Sequence, residues 1–280
     1  MRVTVCELPH EAGALAKPWA RLCEHTWRCE SELVLLPELA MVEPIWEAPR
    51  FDPDRWQRAE AAGEGWLQLL GELHAQHVVG TRPVTIAGRR YNQGYAWSRV
   101  RGLIPLRSKF LLPAEPGGWE AQWFDRGDAD FPAFRAGRMS FGLNICSELW
   151  ALESYAAYAA GGVQMILAPR ATAAATRAKW LAVGVVAAVR SGAFSVSSNR
   201  VDDSGACGGM GWIIGPDGDV LATTSPEVPH VTLDLELADA AEARDAYPRY
   251  LLGGQRDVAR RAEPGSAARM AVETPMRPFA

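Results

Sequence analysis

The sequence predicts a layered α/β fold, with β-sheets covered on the outside by helices. Three observations predict it. Short apolar runs of strand length alternate early in the chain with longer stretches of helical periodicity. Hairpin signals enter later, above all the turn Pro216-Asp217-Gly218-Asp219 between two apolar runs. A chain of 280 residues with 48% apolar content can also bury one sizeable core. No linker or internal repeat interrupts the pattern. Residues 1–250 are therefore expected to form one domain, and residues 251–280, charged and containing Gly and Pro, a C-terminal extension or tail.

Arg2–Cys6 alternates polar and apolar residues, as a half-buried strand does. Pro18–Cys29 reads as a helix with proline in its first turn, where the missing N–H would have no partner anyway. Leu33–Leu36 is continuously apolar, the pattern of a strand covered on both faces; Pro37 ends it and Glu38 follows. Asp54–His77 reads as one long amphipathic helix despite Gly63, Gly65 and Gly71, and Val78–Thr81 as the next strand. From Pro83 to Pro105 glycine and arginine blur the period, with Tyr95–Val100 a candidate strand. Pro113–Gly118 is turn chemistry, and Trp119–Phe124 beyond it a short helix or strand. Met139–Ile145 is a strand delivering Cys146; Ser147–Ala160 is a helix ended by Gly161-Gly162. Gln164–Ala168 reads as a strand, Thr176–Arg190 as a helix and Phe194–Ser197 as a strand. Trp212–Gly215 and Val220–Thr224 flank the hairpin turn, where Gly218 suits a positive φ. His230–Asp234 is the last clear strand.

Composition excludes several functions. A formal net charge of -4 disfavours a nucleic-acid binder, and the arginines at Arg89, Arg90, Arg99, Arg101 and Arg107 read as a solvated face. The longest apolar stretch, Trp180–Val189, is too short for a membrane span. The opening Met1–Gly13 lacks the apolar segment and cleavage site of a signal peptide. Five cysteines, at 6, 23, 29, 146 and 207, form no CxxC pair and no zinc spacing, so a reducing, cytoplasmic setting is expected. There is no GxGxxG or Walker A loop. Eleven tryptophans fit an aromatic pocket or an interface, and their number decides neither.

Two residues stand where chemistry gathers in α/β proteins, beyond the carboxyl ends of strands: Glu38 and Cys146. Cys146 also precedes an expected helix, whose N-terminus would favour a thiolate and offer N–H groups to a developing oxyanion. Placement alone still makes a buried structural cysteine the commoner reading. Glu38 alone reads as a carboxylate satisfied by nearby backbone. Lys109 alone reads as a surface lysine, although Ser108-Lys109 leads straight into apolar Phe110-Leu111-Leu112.

The conjunction changes this. LLPEL around Glu38, SKFLLP around Lys109 and GLNICSELWALE around Cys146 resemble, in order, the Glu–Lys–Cys segments of the nitrilase, or carbon-nitrogen hydrolase, superfamily. PGGWEAQWFDRGD resembles the segment carrying a further family glutamate, here Glu120, and SSNRV, GWIIGPDGDVL and DLELADAAEARDAYPRY continue the likeness to about Tyr250. The resemblance implies a four-layer α-β-β-α sandwich, usually paired into a homodimer, with the helix after the cysteine commonly at the interface. It implies cofactor-free and metal-free hydrolysis of a small amide, carbamoyl or nitrile substrate. Cys146 would be nucleophile, Glu38 general base, Lys109 the support for negative charge, and Glu120 would orient Lys109 or the substrate amine.

The resemblance further suggests Ser147, through its backbone N–H, together with Asn144, Trp119, Trp150 and Asn199 for the oxyanion or substrate pocket. Glu153 and Arg200 would be structural residues near the site. Asn92 reads as a pocket residue or a plain turn residue, and core packing suits each tryptophan equally well. The chain departs from the family pattern at Leu152, Ala156, Ser191-Gly192 and Gly208–Met210. These departures point to a divergent branch with an altered substrate pocket, and PGGWEAQWFDRGD resembles the carbamoyl-amine and omega-amidase branches more than the nitrilase branch, which makes the branch amidase-like. A true nitrilase, and a non-catalytic member binding a small ligand or partner, are the alternatives.

Overall fold

Strand β1 (Arg2–Pro9) joins two sheets, because its two halves pair with different neighbours. Its first half lies parallel to β2 (Leu33–Leu35) and antiparallel to β12 (His230–Asp234), in the register Val3↔Leu33 and Val3↔Leu233. Its last residues, Glu7–Pro9, instead pair with Asn199–Val201 of β9 (Phe194–Val201). The structure, a computed structural model, describes residues 1–252. Residues 253–280, nearly all of the expected tail, lie outside the described residues.

The first sheet runs β12-β1-β2-β3-β4-β5, where β3 is His77–Ile86, β4 Arg89–Ser98 and β5 Gly102–Ser108. Strands β1, β2 and β3 are parallel; the others run antiparallel to their neighbours. The second sheet runs β6-β7-β8-β9-β10-β11, with β6 at Phe134–Ala136, β7 at Met139–Leu143 and β8 at Met165–Arg170. The hairpin of β10 (Trp212–Ile214) and β11 (Val220–Thr223) closes its far edge. Here β7, β8 and β9 are the parallel strands.

Side-chain alternation then builds three apolar layers. From β1 and β2, Val3, Val5, Leu33 and Leu35 point between the sheets, to meet Phe141, Leu143, Met165, Leu167 and Val196. The opposite faces supply Cys6, Leu8, Val34 and Leu36, which pack under helices α1 (Ala16–Arg28) and α2 (Pro53–Leu67) through Trp19, Leu22, Trp56 and Ala59. On the second sheet Ile166, Ala168, Trp212 and Ile214 pack under α4 (Leu152–Ala160) and α5 (Arg177–Ser191), through Tyr155, Tyr158, Val183 and Ala187. The result is the four-layer α-β-β-α sandwich. The short helices are α3 (Glu120–Trp123), α6 (Asp239–Asp245) and α7 (Arg249–Leu252), the last two within the run-out after β12.

The expected elements are present with informative differences. The helix from Asp54 stops at Leu67, not His77; a 3-10 turn at Leu70–Glu72 follows and the chain reverses into β3. Its start is well capped: Asp52 accepts from the Asp54 and Arg55 backbone N–H groups at 2.9 and 3.1 Å, with Pro53 first in the helix. Its last turns carry Gly63 and Gly65, each weakening a helix by about 1 kcal/mol against alanine, and Gly71 follows in the 3-10 turn. The blurred stretch after Pro83 forms a long hairpin of β3, β4 and β5, turning at Ala87 and Gly88 with φ of 50° and 76°. Its alternation was hidden because Asn92–Ala96 is buried throughout, Gly94 lying where a Cβ would sit 2.3 Å from Leu143. The expected helix Ser147–Ala160 is divided into a 3-10 turn, Cys146–Trp150, and α4.

Candidate active site

The carboxyl ends of β2, β7 and β8 open on the same end of the sandwich, where Glu38, Cys146 and Ala171 follow them. Glu38 is held by its backbone N–H, which donates to the Arg170 carbonyl at 3.2 Å. Leu39 then takes a left-handed φ of 47° and donates to Thr81 Oγ1 at 2.7 Å, fixing the turn. Lys109 ends β5's continuation: its N–H donates to the Asn92 carbonyl and its carbonyl accepts from Gly127, both at 2.9 Å.

These backbones deliver three buried side chains to one point. Lys109 Nζ donates to Glu38 Oε1 at 2.7 Å and to both oxygens of Glu120 at 2.7 and 2.8 Å. Asn92 Nδ2 donates to the same Glu38 oxygen at 2.8 Å, so its side chain belongs to the site rather than to a turn. Burial pulls the Lys109 ammonium down, but Glu120 and Glu38 outweigh it and hold the group above its ordinary range. It is a fixed cation. Burial pushes Glu120 up to about 7, helped by Glu38 and opposed by Lys109. Glu120 is thus the carboxylate in this cluster poised to take up a proton near neutrality.

Cys146 sits in a left-handed conformation, φ 51°, at the first position of its 3-10 turn. Such strain in a non-glycine residue re-aims its side chain. The thiol is buried and held well above its usual range, first by desolvation, then by Glu38, while Lys109 and a hydrogen bond from the Ala171 backbone act the other way. The expected helix N-terminus is absent, because the α-helix begins only at Leu152. A resting thiol with a carboxylate in its field, rather than a dipole-stabilised thiolate, is what the geometry provides.

Glu148 joins the two halves of this site. It accepts from the Ile145 N–H at 2.9 Å and from the Phe110 N–H at 2.7 Å, and it pairs with Arg107. The strand end bearing Lys109 and the turn bearing Cys146 are therefore tied through one fully buried carboxylate. Sequence reasoning missed it and chose Glu153, which is exposed. The signal was available, since Glu148 lies three residues beyond Ile145, the spacing of a carboxylate that reaches back to a turn's first N–H.

The other expected pocket residues divide. Asn144 is buried as a latch: its Nδ2 donates to the Glu148 carbonyl at 2.8 Å and to Ser154 Oγ at 3.1 Å, which makes it a support of the turn. Ser147 ties the same turn to the Leu111 carbonyl through its hydroxyl. Trp119 is half-buried immediately before Glu120, its N–H donating to the Trp46 carbonyl at 2.8 Å. Trp150 is 50% exposed and lies against Trp180, with ring centroids 5.6 Å apart.

Asn199 braces two loops at this end of the sheet, accepting from Thr172 N–H at 3.0 Å and donating to the Gly209 carbonyl at 2.6 Å. Arg200 clamps the segment after Glu38, donating to the Leu39 carbonyl at 2.9 Å and to that of Val42, with its guanidinium 5.1 Å from the Trp46 ring. Arg170, which no sequence signal marked, donates to Ser197, Thr172 and the Met210 carbonyl and stacks on Trp212. All five cysteines are free. Among the described residues no cluster of three His, Cys, Asp or Glu side chains is arranged to hold a metal, and no helix is long and apolar enough to cross a membrane.

Comparison with known proteins matches residues 2–245 to the carbon-nitrogen hydrolase family model. The fold is similar to that of a carbon-nitrogen hydrolase from Helicobacter pylori G27, with TM-score 0.80 and 19% identity over 93% of this chain and 97% of that one. It is also similar to XC1258 from Xanthomonas campestris, a superfamily protein with an arsenic adduct in its active site; there the TM-score is 0.70 and identity 16%, over 91% and 97% of the chains. A glutamate-to-glutamine variant of the amidase from Nesterenkonia sp. AN1, with the acetamide moiety of fluoroacetamide added at its active-site cysteine, gives TM-score 0.72 and 19% identity over 94% and 97%. At these identities the likeness is one of fold. No curated protein sequence matches the chain.

Proposed function

The chain belongs to the carbon-nitrogen hydrolase family, and on that premise we propose that it hydrolyses an amide or N-carbamoyl C–N bond of a small substrate through a thioester on Cys146. The observation that carries the reading is Lys109 held at 2.7 Å by both Glu38 and Glu120, within whose combined field Cys146 sits.

The chemistry follows from the charges. The Cys146 thiol stays protonated at rest, so attack needs a base, and Glu38 takes the proton as sulfur bonds to the substrate carbonyl carbon. The C=O electrons move to oxygen, where the fixed charge of Lys109 and the Ser147 N–H oppose the developing negative charge. Glu38 returns the proton to the leaving nitrogen as the C–N bond breaks, and ammonia or an amine departs. Water, losing its proton to Glu38, then attacks the thioester and restores the thiol. Glu120 keeps Lys109 aligned and charged. No step draws on a metal or organic cofactor.

Pairing into a homodimer through the outer layer beside the Cys146 turn completes the proposal. It is supported by apolar side chains left exposed there, Trp150 at 50%, Leu152 at 49% and Val186 at 46%.

The test is ammonia release from primary amides, omega-amides, N-carbamoyl amines, N-carbamoyl amino acids and nitriles, with wild type and Cys146→Ala. Turnover of an amide or N-carbamoyl class, abolished in the variant, is the expected outcome. Turnover of nitriles alone would replace this reading with a nitrilase. No turnover of any class would leave the non-catalytic alternative.

A further inference from the structure

A cavity of about 1330 Å³ opens at the end of the sandwich opposite Cys146. It is lined by residues that precede the parallel strands: Ser31 before β2, His77 at the start of β3, Gly137 before β7. Glu38 lies seven residues beyond Ser31 along an extended chain, so at about 3.3 Å per residue the two openings stand roughly 20 Å apart. The catalytic proposal uses none of the cavity's lining.

Its charge is at odds with the molecule around it. The whole chain carries -4, yet five arginines line this cavity and Glu30 is the sole carboxylate among the described lining residues. Arg2 pairs with Glu30 at 3.2 Å, and Arg28 pairs with Glu24. The other three have no carboxylate partner among the described residues. Arg99 donates to the Gly71 carbonyl at 2.7 Å. Arg101 and Arg135 have no ion-pair partner among the described residues, and all three side chains are exposed. They approach from both sheets, Arg99 and Arg101 from the β4–β5 turn and Arg135 from β6. The arginine run that read as a solvated face is thus split: Arg107 is buried against Glu148 and Arg89 pairs with Asp125, while Arg99 and Arg101 face this cavity.

Two indoles line the same space, Trp97 half-buried on β4 and Trp27 at the end of α1, 62% exposed to water. Val100 beside them is 92% exposed. His77, kept below its ordinary range by burial, adds a neutral ring with hydrogen-bonding nitrogens. Guanidinium groups recognise phosphate oxygens in bidentate fashion, several together match several phosphates, and indole faces stack on planar bases. The volume exceeds what a ligand of that size needs.

We propose that this cavity binds a nucleoside polyphosphate at a site independent of Cys146. Binding is read on the full chain by calorimetry and by quenching of tryptophan fluorescence, with ATP as the probe. Inorganic triphosphate and a single-stranded oligoribonucleotide are run alongside. The expected result is saturable ATP binding, with affinity reduced at least tenfold in R101E/R135E and several-fold in W27L, and intact in C146A. Both lining variants change exposed side chains, and an unchanged thermal transition without ligand verifies that they fold. Three results would overturn the proposal: no saturable ATP binding at millimolar concentration, ATP binding indifferent to R101E/R135E, or triphosphate binding as tightly as ATP with no effect of W27L. Oligoribonucleotide binding far tighter than ATP, with the same dependence on the arginines, would replace it with a nucleic-acid site.

Discussion

Glu120 shows how a single residue can set the pH response of the whole site. Burial raises its carboxyl to about 7 even though it faces Lys109. Below that pH it is protonated, and Lys109 loses the second anion that holds it in place beside Glu38. The sign is therefore fixed: kcat/KM should fall on the acid side of about 7 and rise to a plateau above it. In Glu120→Gln the low-activity state should persist at every pH, with the acid limb gone. A wild-type profile flat across neutrality would count against this role for Glu120. Glu148 makes a different prediction, because it touches backbone and Arg107 rather than the reacting atoms. Removing one partner of a buried pair typically costs about 3–5 kcal/mol. Urea unfolding of Glu148→Ala should show a loss of that order, together with a drop in kcat as the Lys109 and Cys146 segments lose their tie. A loss below about 1 kcal/mol would mean that the pair is solvated and dispensable.

At the scale of elements, close approaches explain where small residues are required. Gly142 on β7 lies under Tyr158 of α4, and a Cβ there would stand 2.4 Å from the ring. Tyr158 is buried and held by the outer core, so it cannot swing away. Gly142→Ala should destabilise by about 1–3 kcal/mol, the usual result of overpacking, measured as a lowered urea midpoint. Because β7 leads directly to Cys146, activity should fall with it. An unchanged midpoint would show that the helix yields. The same logic explains what was legible. Leu33–Leu36 and Gln164–Ala168 announced themselves because both faces of those strands meet apolar layers. The first half of β4 did not, since its buried residues are Asn92, Gln93 and Gly94, serving the site and the inter-sheet contact instead of the hydrophobic pattern.

On the scale of the whole molecule, the outer layer beside the Cys146 turn keeps Leu152 and Val186 in water while the inner layers are fully covered. If that face pairs two copies, light scattering after gel filtration should report a dimer for the wild type and a monomer for L152E/V186E. A wild-type monomer would refute the pairing. The sequence by itself determined most of the alternating elements, though not β5 or β6, and the three segments that bear Glu38, Lys109 and Cys146, because periodicity, turn chemistry and motif spacing are local properties. Tertiary structure alone decided that Asn92 joins Glu38, that Glu148 rather than Glu153 is the buried brace, and that Trp150 faces outward. It also decided that Arg99, Arg101 and Arg135 converge on one cavity. These depend on hydrogen bonds, burial and charge between residues far apart in sequence, and those are set only when the two sheets close on one another.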